Sequence, residues 1–392
     1  MRGSGPSGRY CRRATYDAAP RGDARLLALV GCRGYRAFES DTQLELRRLT
    51  IVFGKNNSGK TTLTRLPLFI GAAVGSPQGY RLASGTTRFG SSFRDIASVG
   101  EPHPSISYWA ATTTGSDWMV ELQSVSRGLE EHIQPKRVRS DGDTTEFSLE
   151  DLSAAVGDPA FPASSAPAAV AEALTDILHI QSARPAVSPV YEHRPPLAAT
   201  AEEVPYWLLA HLDLRATVDA WFKDNLEGMS VDVEQSDYGF RLVVGDVGSQ
   251  INFASAGRGS QAILPVVTLL KAAQLGLIDP KLAIIEEPEA HLHPSAHTSV
   301  AELLAESSRS LQILAETHSE NLILRLRRKI ATNTLSSADL GLAYVDENHM
   351  QTTIDVDELG GVRDWPSGVF EYDVEEARAI VEARMRTIDG AH

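Results

Sequence analysis

One stretch constrains this chain more than any other: Leu49-Thr50-Ile51-Val52-Phe53-Gly54-Lys55-Asn56-Asn57-Ser58-Gly59-Lys60-Thr61. A run of β-prone residues stops at a glycine, and an apolar helical period opens at Thr61 and continues to Ile70, with Pro67 expected to kink it. Between them the pattern G-x-x-x-x-G-K-[ST] is complete from Gly54 to Thr61. Gly54 and Gly59 let the backbone wrap closely around a phosphate. The N–H groups of Lys55, Asn56, Asn57 and Ser58, with a helix N-terminus behind them, make a pocket for negative charge. Lys60 is expected to reach the β- and γ-phosphates of ATP and the Thr61 hydroxyl to ligate Mg²⁺, with Thr62 following in the first helical turn.

Two further motifs lie far downstream. Leu282-Ala283-Ile284-Ile285 is a strand-sized apolar run that ends in Glu286-Glu287-Pro288-Glu289. Placing like charges together at a strand end costs energy unless a cation and a substrate water resolve it. Glu286 is accordingly expected in the Mg²⁺ shell, and Glu287 beside the attacking water. Consecutive strand residues face opposite ways, so the two can cooperate only if the strand ends there, and Pro288 favours that. The third motif is Leu311-Gln312-Ile313-Leu314 followed by Ala315-Glu316-Thr317-His318-Ser319. His318 then sits just past a strand C-terminus, on the edge where open α/β sheets bind ligands.

Strands are expected at Leu26–Val30, Leu44–Leu46, Leu49–Phe53, Ser105–Trp109, Trp118–Leu122, Arg241–Val244, Leu282–Ile285 and Leu311–Leu314. Helices are expected over Glu150–Val156, Ala168–Leu178, Val204–Trp221, from Ser260 to near Gly276, Ser295–Ser308 and Ser319–Lys329, with Asp158–Pro167 as a loop. Strands alternating with helices after such a loop mean an α/β core with a mostly parallel sheet flanked by helices. The expected organisation is a flexible tail over 1–25, a core part over 26–75 and an inserted α+β or helical lobe over 76–248. A second core part then spans 249–345, and an extension 346–392.

Bulk properties narrow the function. A net charge of −14 argues against a protein that coats DNA through a broad positive surface, although a local basic groove stays open. The basic runs Arg325, Arg327, Arg328, Lys329 and Lys136, Arg137, Arg139 read as solvated faces. Two cysteines, Cys11 and Cys32, make no disulfide framework and suit a reducing cytosol. No apolar run reaches the roughly 18 residues of a membrane helix, so no membrane role is expected. His291, His293 and His297 match no zinc spacing, and Asp355 and Asp357 read as surface aspartates.

Together, Gly54–Thr61, Glu286-Glu287-Pro288-Glu289-Ala290-His291-Leu292-His293-Pro294 and Thr317-His318-Ser319 resemble Walker A, Walker B and the switch histidine of ABC-type ATPases related to SMC, RecF and OLD proteins. The P-loop NTPase fold is what that resemblance implies. The Glu-Glu-Pro-Glu-Ala-His-Leu-His-Pro wording is similar to the OLD-like branch. Cys32-Arg33-Gly34-Tyr35-Arg36-Ala37-Phe38 resembles that group's opening, with Gly and Tyr where Asn and Phe are usual. His179 to Pro185 and Asp364 to Phe370 resemble segments of short OLD-like ATPases. The resemblance implies ATP and Mg²⁺, hydrolysis, and a head-to-tail homodimer in which a signature loop of one subunit closes on the ATP of the other. Ser255, Gly257, Arg258 and Gly259 stand where that loop belongs, although Ser255-Ala256-Gly257-Arg258-Gly259-Ser260-Gln261 departs from L-S-G-G-Q. It further implies a setting in DNA repair or antiphage defence, in the cytoplasm. The Asp-x-Asp of Asp355 and Asp357 lacks the rest of the TOPRIM nuclease fused to OLD proteins, so a separate nuclease or toxin is the expected effector. A transporter subunit is a weaker alternative, and a sensor or scaffold with little turnover is another.

Overall fold

Alternation along the buried strands sets the layering of the molecule. The computed structural model describes residues 26–74, 76, 81–98, 104–127, 130–146, 166–245, 249–363 and 365–366. Its first strands are β1 (Leu27–Arg33), β2 (Thr42–Glu45), β3 (Leu49–Gly54), β4 (Ala83–Ser84) and β5 (Thr87–Arg88). Then come β6 (Ser105–Thr112), β7 (Asp117–Arg127), β8 (Glu130–Ser140), β9 (Asp143–Glu146) and β10 (Ile177–Ile180). The C-terminal half adds β11 (Val231–Ser236), β12 (Gly239–Val244), β13 (Ile251–Asn252), β14 (Leu282–Glu286), β15 (Gln312–Thr317), β16 (Leu340–Val345) and β17 (Gln351–Ile354).

The central sheet has the order β10-β14-β15-β3-β16-β17, parallel except for β17. Strand β14 is buried along its whole length, as a parallel strand covered on both faces must be. Ala283 and Ile285 point into one core, with helices Arg258–Gln274, His297–Ser307 and Glu320–Ala331. Leu282 and Ile284 point into the other, which holds Leu63, Phe69 and the inner face of a second, antiparallel sheet, β2-β1-β6-β7-β8-β9. The stretch 76–248, expected as an inserted lobe, thus contributes strands to both large sheets. The helix expected over Glu150–Val156 lies outside the described residues, as do the tail 1–25 and most of the loop Asp158–Pro167.

Three helices depart from expectation for local reasons. The helix expected over Thr61–Ile70 breaks at Arg65 into Lys60–Thr64 and Leu66–Val74. Pro67 becomes the second residue of the new helix, where its missing N–H costs nothing. The helix expected over Ala168–Leu178 stops at Ala173, because Ile177–Ile180 pairs with β14 as an edge strand. Val204–Trp221 is two helices, Val204–Ala210 and Leu212–Asn225, divided at His211 by its extended backbone.

Much of the basic runs sits in ion pairs: Arg325 and Lys329 with Glu302, Lys136 and Arg137 with Glu121, and Arg139 with Asp117, while Arg327 donates to the Gly360 carbonyl. Asp357 caps a turn through the N–H groups of Leu359 and Gly361. Among the described residues no helix is long and apolar enough to cross a membrane.

One buried amide ties the two large sheets together. Gln312, 3% exposed on β15, donates to the carbonyls of Leu27 (2.8 Å) and Arg47 (3.2 Å) and accepts from the Leu27 N–H (3.1 Å). Replacing it by leucine keeps the volume and strands three backbone groups. Each unmade buried bond costs about 1–3 kcal/mol, partly relieved by relaxation. Gln312→Leu is therefore expected to lose about 2–4 kcal/mol in urea unfolding; a loss under about 0.5 kcal/mol would mean that the amide is not a joint between the sheets.

Candidate functional site

The phosphate cradle has the backbone its glycines allow. Gly54 has φ +150°, and a Cβ there would lie 2.1 Å from the Val345 carbonyl oxygen on the neighbouring strand. Only glycine tolerates that approach. Gly59, φ +98°, caps the helix that starts at Lys60, and Asn57 is also left-handed at φ +62°. Lys60 is buried and turns back into the cradle, its ammonium donating to the Lys55 carbonyl at 2.5 Å. Burial lowers its pKa, opposed by the nearby charges of Glu316 and Glu287. The loop between β16 and β17 straps the cradle from outside. His349 Nδ1 lies 2.9 Å from the Ser58 carbonyl, and the exposed Lys55 pairs with Glu347 at 2.9 Å.

The register of the central sheet brings the acidic residues to this loop. Glu286 and Glu316 are paired partners on adjacent parallel strands, and Glu316 in turn pairs with Val52 on the P-loop strand. Residues in register point to the same face, so both carboxylates emerge beside the helix Lys60–Thr64. Strand β14 ends at Glu286, as expected. Glu287 lies beyond it with φ +43°, its N–H donating to the Glu316 carbonyl at 2.9 Å. That left-handed turn releases Glu287 from strict alternation and lets it face the same cleft.

The two register partners differ sharply in surroundings. Arg65 grips Glu286 with a two-pronged pair, Nε to Oε1 at 2.5 Å and Nη2 to Oε2 at 2.8 Å. His179 Nε2 lies 2.7 Å from Oε1, and the Ser182 N–H donates to Oε2 at 3.2 Å. Burial alone would raise the Glu286 carboxyl, but the bonds from His179 and Arg65 win and hold it at about 2. Glu316 accepts from the Thr61 hydroxyl at 2.9 Å through Oε1, while its buried Oε2 has no hydrogen-bond partner. Burial pushes this carboxyl up, against the Thr61 bond and with the repulsion of Glu286, to about 7.

His318 stands at the cleft's open side. Its N–H donates to Glu289 Oε1 at 2.9 Å, and the Thr317 hydroxyl donates to the same oxygen at 2.6 Å. Glu289 thereby fixes the turn that presents His318. Burial and the charge of Lys60 lower the pKa of the imidazole. One ligand atom from each of Glu287, Glu316 and His318 lies within 4.8 Å of the others. The donor set suits Mg²⁺: a threonine hydroxyl, hard carboxylate oxygens and an unpartnered buried Oε2.

Several positions of this site carry no sequence motif of their own. Arg65 and His349 are among them; Glu289 and Glu316 stand inside the acidic and histidine motifs, and His179 and Arg184 inside the segment resembling short OLD-like ATPases, but none of the four has an expected role. The Arg184 guanidinium donates to the carbonyls of Glu286 (2.7 Å) and Ala262 (3.3 Å). Burial lowers Arg184 to about 10 against the attraction of Glu286, Glu287 and Glu289. The signature-like loop is exposed at Ser255, Gly257 and Arg258. Gly257 caps the helix Arg258–Gln274, and a Cβ at Gly259 would lie 2.6 Å from the His291 carbonyl oxygen. His293 Nδ1 lies 2.8 Å from the Ser295 hydroxyl, and His297 Nδ1 2.7 Å from that of Ser319.

Stability gives a test of the Glu286 clamp. Removing Arg65 leaves a carboxylate that is 1% exposed without its main counterion, a situation that costs about 3 kcal/mol or more. Arg65→Ala is expected to be destabilised by about that amount in denaturant unfolding, and adding Glu286→Gln in the same chain to recover roughly half. Equal stability of Arg65→Ala and the parent would overturn the pairing as a structural element.

The family model described as "AAA domain, putative AbiEii toxin, Type IV TA system" matches residues 49–325. Among solved structures, an SMC head bound to the C-terminal winged-helix domain of ScpA superposes with a TM-score of 0.51 at 12% identity, covering 84% of this chain and 97% of that one. An SMC head domain from Pyrococcus furiosus, bound to the C-terminal domain of ScpA, gives 0.48 at 11% identity, covering 92% and 99%. The Thermotoga maritima SMC head domain gives 0.43 at 11%, covering 85% and 99%. No curated protein sequence matches the chain.

Proposed function

The chain belongs to the AAA-domain family just described and has the fold of an SMC-head-like ATPase, and on that premise we propose that it binds Mg·ATP, pairs head to tail across it and hydrolyses it to gate a partner. The observation that carries this reading is the meeting of the Gly54–Thr61 cradle with Glu287, Glu316 and His318 at the C-terminal ends of β3, β14 and β15. Lys60 leaves the Lys55 carbonyl for the β- and γ-phosphates, exchanging one acceptor for charged ones. The N–H groups of Lys55 to Thr61, followed by Thr62, receive the phosphate oxygens. Glu287 orients the attacking water and accepts its proton, and His318 donates to the transferring phosphate or holds that water. Mg²⁺, when bound at the Thr61 end of the cleft, supplies charge that offsets the phosphates.

Ser255, Gly257, Arg258 and Gly259 are the surface offered to a second subunit. The exposed Gly257 and half-buried Gly259 at a helix N-terminus, with one cation, suit the γ-phosphate of a partner's ATP. The effector is a separate polypeptide of nuclease or toxin type, in keeping with the toxin–antitoxin wording of the family and with the ScpA domain carried by the SMC head above. Defence against phage or foreign DNA, or DNA repair, is the setting proposed, in the cytoplasm; a nucleic-acid contact is open.

Lys60→Ala should lose Mg·ATP binding by calorimetry, weakening it about 100-fold or more. Glu287→Gln should bind Mg·ATP normally, cut turnover by about 10²–10³-fold and accumulate the ATP-bound dimer in size-exclusion chromatography with light scattering. A Lys60→Ala protein that binds as the parent does would end this reading. A Glu287→Gln protein that stays dimeric and keeps its biological output would instead favour an ATP sensor with little turnover.

A further inference from the structure

Two acidic residues compete for the metal of this site, and their surroundings separate them. Every oxygen of the Glu286 carboxylate is already engaged, by Arg65, His179 and the Ser182 N–H, and the group is 1% exposed. His179 is in turn held by the Thr87 hydroxyl at 2.7 Å, so the clamp reaches the β4–β5 hairpin. For Glu286 to ligate a cation, a short bidentate guanidinium pair would have to be dismantled, leaving a buried charge without its counterion.

Glu316 is the opposite case. It is 3% exposed, one oxygen takes the Thr61 proton, and among the described residues no donor reaches the other. A buried carboxylate oxygen without a donor is costly, and a cation is the partner that removes the cost. The Thr61 hydroxyl, having given its hydrogen to Glu316, keeps its lone pairs for a metal. Glu287 and His318 close the pocket, with ligand atoms within 4.8 Å of one another and of Glu316.

We propose that Glu316, rather than Glu286, is the carboxylate that holds the divalent cation beside Thr61, and that Glu286 is a positioning residue that locks the end of β14 to Arg65 and β10. This assignment rests on the Mg·ATP reading above and names its metal ligand. Thr61, Glu316 and Glu287 offer hard oxygens beside the single His318 nitrogen, so Mg²⁺ and Mn²⁺ are the ions that fit.

Calorimetry of the non-hydrolysable analogue AMPPNP, with Mg²⁺ and with EDTA, separates the possibilities in the full chain. The parent should bind at least about tenfold more tightly with Mg²⁺. Glu316→Gln keeps an acceptor for Thr61, so it should bind AMPPNP in EDTA as the parent does and lose most of the Mg²⁺ increment. Glu286→Gln should keep that increment. Thermal melts establish that each variant is folded; if Glu286→Gln is not, Mn²⁺ water-proton relaxation on the parent and Glu316→Gln decides, with enhancement expected only in the parent. A full increment in Glu316→Gln, or its loss in a folded Glu286→Gln alone, would overturn the assignment. A parent that does not bind AMPPNP in either buffer would instead remove the ATPase reading itself.

Discussion

Two glutamates side by side in a buried parallel register are an electrostatic problem that the rest of the fold is arranged around. Glu286 and Glu316 pair across β14 and β15, pointing to the face that also receives the helix after the P-loop. Unit charges a few ångströms apart at low effective dielectric repel by several kcal/mol. One is paired with Arg65 and hydrogen-bonded to His179, which keeps it ionised. The other carries the remaining strain, its carboxyl pushed up to about 7 by burial. The helix break at Arg65, two residues before Pro67, leaves Arg65 free to reach back to Glu286.

The same problem explains why the polypeptide closes over such long sequence separations. Glu286 is engaged from Arg65 and from His179 and Ser182, which lie on two segments far from it in sequence. Edge strand β10 is short, yet it brings His179 in register with Ile284, on the same face as Glu286. On the other side, β16 and β17 present the loop that straps Ser58 and Lys55. Loop closure over long stretches adds only slowly with length, so one well-placed counterion can repay it.

How much of this was legible in the sequence depended on whether a residue announced itself locally. The cradle, the end of β14 and His318 could be placed because each combines an apolar strand with an abrupt change to glycine or charge, and the structure has those strands where the pattern put them. Glu316 was readable in principle: Leu314 and Glu316 alternate as Ile284 and Glu286 do, which puts both acids on one face once the strands are in register. Register, however, is a tertiary property that one strand does not encode. Arg65 lies unmarked inside the helix expected over Thr61–Ile70, because its partner Glu286 is far away in sequence. His179 and Arg184 sit in a region of weak periodicity, where Ile177–Ile180 looked like a helix end until β14 supplied the neighbour. The charged strand β8 hid for a related reason, since Lys136, Arg137 and Arg139 satisfy their charge across the sheet with Glu121, Glu146 and Asp117 rather than along the chain.

Arg184 shows how the end of β14 and the loop proposed to meet a second subunit share one support. Its guanidinium bonds at once to the Glu286 carbonyl at the end of β14 and to the Ala262 carbonyl in the first turns of the helix Arg258–Gln274. Burial opposes its charge, and the acidic cluster of Glu286, Glu287 and Glu289 is what retains it. Gly259 meanwhile packs its backbone on the His291 carbonyl, in the loop that follows those glutamates. A helix held at both points cannot shift without disturbing either the carbonyl of Glu286 or the turn that presents His318 through Glu289. Packed interiors deform little and switch between discrete arrangements. On the proposed head-to-tail dimer, pressure from a second subunit on Gly257 and Arg258 would reach Arg184, whose guanidinium also lies 3.5 Å from the carbonyl of Glu287, the residue proposed to face the attacking water.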